Sequence, residues 1–60
     1  MEFVIEYIQR KMVVGSEDLT GTMDDAANAA ILGLETHRAS VASIKDAETG
    51  KELKAVVRRA

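Results

Sequence analysis

The sequence predicts an α+β fold: a small βαββ two-layer domain with one helix packed on a three-stranded sheet. Three observations point there. The chain opens on a β-branched and aromatic run, EFVIEYI. Its middle holds a capped, Ala-rich segment, TMDDAANAAILGLETHR. Its last third sets two β-prone runs, SVASIKD and KELKAVV, on either side of AETG, whose Gly50 can close a hairpin loop.

Residues 2–8 form the first predicted strand. Alternation puts Phe3, Ile5 and Tyr7 on one face and Val4, Glu6 and Ile8 on the other. Met12–Val14 either continue this strand or form a short second one beyond a bend at QRK, and GSEDLTGT reads as a polar loop. The helix is expected over 23–38, with Thr22 as N-cap and Asp25 completing a short-armed capping box. Asp24 and Asp25 then occupy its first turn and His37 and Arg38 its last, which suits both ends of the macrodipole. Met23, Ala27, Ala30, Ile31 and Leu34 form the expected core stripe.

Strands over 40–46 and 51–58 follow. A four-residue loop, Ala47 to Gly50, opposes Asp46 with Lys51, Lys45 with Glu52, Ile44 with Leu53 and Ala42 with Ala55, which matches charge with charge and apolar with apolar. Val41 then faces Val56. A competing reading takes Thr49 and Glu52 as a second capping box opening a C-terminal helix over 49–60. Strand order stays open: a parallel first and second strand with a right-handed crossover, or a wholly antiparallel sheet with the last strand central.

Sixty residues make a single domain, 1–60, with a thin core. Chains this small usually add a disulfide, a metal or a partner subunit. With no Cys, and His37 as the one His, neither a disulfide nor a metal or other cofactor is expected, which leaves oligomerisation. No run approaches the ~18 apolar residues of a membrane span, and the opening segment lacks the marks of a secretory signal. A cytoplasmic location is therefore expected.

The residues that look chemical have plainer roles. Asp24 and Asp25 point about 100° apart on a helix, too far to share a proton. Asp18, Thr20, Thr22 and Asp24 alternate like cation ligands, but the twelfth position counted from Asp18 is Ala29, where a calcium loop needs Glu. His37 has no nucleophile or acid at a spacing that would build a triad. The glycines at 15, 21, 33 and 50 match no phosphate-loop pattern. The reading is non-enzymatic.

Surfaces carry more information. If the helix covers Phe3, Ile5, Tyr7, Ala42, Ile44, Leu53, Ala55 and Val57, the other sheet face keeps Val4, Ile8, Val41 and Val56 inside a charged rim, a surface suited to a homodimer or another protein. The alternative is a nucleic-acid-associated regulator contacting its target through Arg10, Lys11, Lys54, Arg58 and Arg59. Against it stand a net charge of −2 and the want of exposed aromatics for base stacking. Charge is nevertheless segregated: residues 15–38 carry five acids and one base, residues 39–60 five bases and three acids.

Through TMDDAANAA and VASIKDAETGKEL, the chain resembles small uncharacterised bacterial proteins in which a strand, an acid-opened Ala-rich helix and a hairpin follow in order. That resemblance implies no activity and supplies no site residues.

Overall fold

The computed structural model describes residues 1–58. Five elements follow in order: β1 (Glu2–Gln9), β2 (Met12–Thr20), α1 (Met23–Thr36), β3 (Val41–Asp46) and β4 (Glu52–Val57). The fold is α+β, one helix on a four-stranded antiparallel sheet of order β2-β1-β3-β4. The expected three-stranded βαββ arrangement is thus corrected to ββαββ. The C-terminal helix reading gives way to the strand β4 over the residues described.

The extra strand, β2, takes up MVV and most of the segment read as a loop. Hydrophobic periodicity could not reveal it, because it is an edge strand with solvent on most of its surface; Leu19 and Gly15 alone are half-buried. Its turn was hidden as well. Arg10 (φ 52°) and Lys11 (φ 66°) are both left-handed, as a two-residue type I′ hairpin requires, yet neither is the Gly or Asn that usually signals one. This hairpin also settles strand order. By reversing the chain before the helix, β2 lets β3 return beside β1 in antiparallel sense, so the first of the expected orders holds in adjacency but not in the parallel sense expected for it, and β4 is not central.

The helix begins as expected. The Thr22 hydroxyl accepts from the Asp25 N–H at 3.1 Å, and the Asp25 carboxylate accepts from the Thr22 N–H at 3.0 Å. It ends earlier, at Thr36. His37 is the C-cap, and Arg38 (φ 51°) takes the left-handed position beyond it. Ala39 N–H donates to Leu34 O and Arg38 N–H to Glu35 O, closing a Schellman motif with Arg where Gly is usual. The buried face is also rotated from the expected stripe. Ala26, Ala30, Gly33 and Leu34 face the sheet, whereas Ile31 is 55% exposed. Small side chains bring the helix close: a Cβ on Gly33 would lie 2.0 Å from the Tyr7 oxygen.

The core joins Phe3, Ile5 and Tyr7 of β1 with Ala42 and Ile44 of β3 beneath Ala26, Ala30 and Leu34, and Ala39 closes one end. Turn pairing at the second hairpin matches expectation: Asp46 N–H donates to Lys51 O, and Lys45 faces Glu52. A β-bulge at Leu53 then shifts the register by one, so Ile44 faces Lys54, Ala42 faces Val56 and Val41 faces Val57. A second bulge, at Val14, sets Ile8 opposite Val13 and Tyr7 opposite Gly15.

Candidate functional site

Two surfaces follow from this topology. The first is the sheet face that the helix leaves uncovered. Residues paired across strands project to the same side. Val13, Ile8, Val41 and Val57 therefore form one aliphatic row crossing β2, β1, β3 and β4. Its centre, Ile8 and Val41, is half-buried, while its ends are open, Val13 at 58% and Val57 at 63% exposure. Nearer the opposite end of the strands lie Val4, the ion pair of Lys45 with Glu6, and the buried Ser43, whose hydroxyl donates to Glu52.

The structure therefore keeps Val4, Ile8 and Val41 together on the open face as expected. Val56 lies on the other side, packed against the core under the helix, and Val57 takes the place expected for it. The cause is the bulge, since a one-residue slip turns each side chain to the opposite face. Val13 was left out because the sequence offers Met12–Val14 either as a continuation of the first strand or as a short second one, with no face assigned.

The second surface lies where β1 ends and β3 begins. The tight turn puts Arg10 and Lys11 there, the helix C-terminus brings Arg38, and the last described residue, Arg58, donates its N–H to Ser40 O at 2.8 Å. Gln9, Arg38, Ala39, Ser40 and Arg58 line a groove of about 350 Å³. Three of the five cations read from the sequence thus converge. Lys54 does not join them, standing mid-strand opposite Ile44, and Arg59 lies outside the described residues. Arg38 was not among them; its signal would have been the reading of helix end and strand start as one corner.

A third contact joins residues far apart in sequence. The Tyr7 hydroxyl donates to Glu17 Oε1 at 2.7 Å and lies 3.2 Å from Ala29 O, while the ring stacks on His37 with centroids 4.5 Å apart. Burial, then the hydrogen bond and the charge of Glu17, push the Tyr7 pKa far above its usual value. The Tyr7 hydroxyl is thus engaged by Glu17 and Ala29 O, and these contacts join β2 and the helix end to β1.

Among the described residues no group of three or more His, Cys, Asp or Glu side chains is placed to hold a metal ion. Nor is any described helix long and apolar enough to cross a membrane. No family model matches the chain, and neither a curated protein nor a solved structure matches it.

Proposed function

We propose that the protein is a non-enzymatic interaction module that pairs with a second copy of itself through the open sheet face. The observation that carries this reading is the row Val13–Ile8–Val41–Val57, which spans all four strands without a charge. Single exposed valines are ordinary, whereas a continuous row rimmed by charge is the pattern of a contact surface.

A second copy suits the face better than a partner of strong charge. The rim holds both signs, Glu6 and Glu52 beside Lys45 on one side of the row and the exposed Arg10, Lys11 and Arg58 on the other, so a two-fold axis across the face can set the basic side of one copy against the acids of the other. A standard interface covers ~800 Å² per partner, about a fifth of this chain's 4281 Å², so pairing would engage the whole open face. Pairing would also supply the burial that a core this small lacks. On composition, with no Cys, we place the module in the cytoplasm.

Light scattering on a sizing column over a range of loading concentrations tests the pairing. The expected mass at high loading is twice the 6.5 kDa chain, falling to the single chain with Val57→Glu. A mass of 6.5 kDa at all loadings overturns it.

A further inference from the structure

We propose that the basic end of the sheet binds the phosphate oxyanions of an oligophosphate, with Arg38 and Arg58 in the groove and Arg10 and Lys11 extending it. The site adjoins the row Val13–Ile8–Val41–Val57, but the inference does not rest on pairing, because every group it uses belongs to one chain.

Convergence is the first support. Four cations drawn from the β1–β2 turn, the helix end and the end of β4 meet at one edge of a chain whose net charge is −2. All four are exposed, and among the described residues none of their side chains enters an ion pair or a hydrogen bond; the ion pair formed is Lys45 with Glu6, elsewhere. Two acids are set toward this end, Glu35 in the last helical turn and Glu17, whose carboxylate Tyr7 already holds in the pocket beside Thr36 and His37. Glu2, Asp18, Asp24, Asp25, Asp46 and Glu48 sit at the opposite ends of the strands and helix. A strand of eight residues separates the two ends by about 25 Å, roughly three Debye lengths at physiological ionic strength. The excess of acids at the far end therefore does not cancel the local field.

Backbone conformation supplies a second, independent support. Arg10, Lys11 and Arg38 are the non-glycine residues with positive φ among those described, and all three are basic and at this end. Gly or Asn would fit each position with less strain. Each of the three thus presents a charged side chain from a position where the backbone itself favours Gly or Asn.

The donor set narrows the ligand. Guanidinium forks match phosphate oxygens in pairs, and Gln9 and Ser40 add neutral polar groups to the groove. The two aromatic residues, Phe3 and Tyr7, are buried, so the site offers no platform for stacking a base. Binding would be to phosphate and blind to base sequence. Two forms supply such phosphates, a free oligophosphate and the backbone of a single-stranded nucleic acid.

Titration of the full chain at low salt, followed by amide NMR shifts, tests this with two probes, inorganic tripolyphosphate and a short oligothymidylate. Shifts are expected at Gln9–Lys11, Arg38–Ser40 and Arg58. They should weaken with added salt, with a log–log slope of about −0.7 per phosphate contact for the single strand. The double variant Arg38→Gly with Arg58→Gln should weaken binding by about tenfold or more, while its Tm holds or rises, because Gly suits position 38. Response to both probes, or to either alone, supports the site and identifies the source. Silence with both probes overturns it, as does undiminished binding by the double variant. Salt-sensitive self-association without phosphate binding also overturns it, assigning the basic end to the acidic end of another copy.

Discussion

Tyr7 meets three elements at once, and the residues around it are chosen by its ring. Gly33 is the clearest case. In an open helix, Gly→Ala would gain about 1 kcal/mol. Here the new Cβ would fall 2.0 Å from the Tyr7 oxygen, and the ring cannot swing aside because Glu17 and His37 hold it. Overpacking costs about 1–3 kcal/mol, so Gly33→Ala is expected to lower stability by about 1–2 kcal/mol, measured by urea unfolding. Tyr7→Phe is milder, about 1 kcal/mol, since the exposed Glu17 regains water. Its pH signature is more specific. The folded pKa of Tyr7 lies above the unfolded value of 10.0, so the stabilisation is complete below pH 10 and is lost as pH rises toward the folded pKa. Tyr7→Phe should flatten that alkaline decline. Arg38→Gly should go the other way, adding about 1 kcal/mol by relieving a left-handed residue.

At the scale of elements, the helix start was legible because capping is local: Thr22 and Asp25 lie three residues apart and satisfy each other. The hydrogen bond that the Thr22 backbone N–H donates to the carboxylate, then the interaction with the Thr22 side chain, hold the Asp25 pKa below the usual carboxylate value. With a depressed folded pKa, the contribution is present above the unfolded pKa near 4 and is lost as pH falls through the folded value. Asp25→Ala should therefore remove part of the stability gained between strongly acidic and neutral pH. The second hairpin was legible only as far as its loop reaches. The charge match placed the turn correctly, with Asp46 N–H donating to Lys51 O and Lys45 facing Glu52, although Lys45 pairs with Glu6 and Glu52 with Ser43; nothing in ELKAVV announces the bulge at Leu53. Its consequence is measurable: Val56→Ala should cost about 1 kcal/mol as a half-buried core side chain, while Val57→Ala stays within about 0.5 kcal/mol in the monomer. The β1–β2 hairpin was legible only as one of two readings, a bend at QRK with a short strand over Met12–Val14, because Arg10 and Lys11 occupy turn positions that sequence patterns reserve for Gly and Asn.

The whole molecule has a covered face, an uncovered face and two oppositely charged ends. The helix can bury one side of the sheet, which places the row Val13–Ile8–Val41–Val57 outside. If that row pairs with its own image, Tm rises with protein concentration by mass action. Val57→Glu should abolish that rise and leave the low-concentration Tm nearly unchanged, because Val57 is 63% exposed in the single chain. Charge segregation also belongs to this scale. The linear sequence shows an acidic middle and a mildly basic tail, but it took the antiparallel hairpins to fold Arg10, Lys11, Arg38 and Arg58 to one end.

By itself the sequence determined the α+β class, the helix and its N-cap, the inward face of β1 and the position of the second hairpin's turn. Each rests on contacts between near neighbours or on an alternation set by a buried face. Tertiary structure decided the rest: the fourth strand, the strand order, the register of β4 and hence Val57 over Val56, the stacking of Tyr7 on His37, and the gathering of the cations. The physical reason is common to them all. An edge strand buries too little to leave a hydrophobic pattern, a bulge shifts register at a cost too small to mark the sequence, and cations some 20–30 residues apart become neighbours only when strands pair.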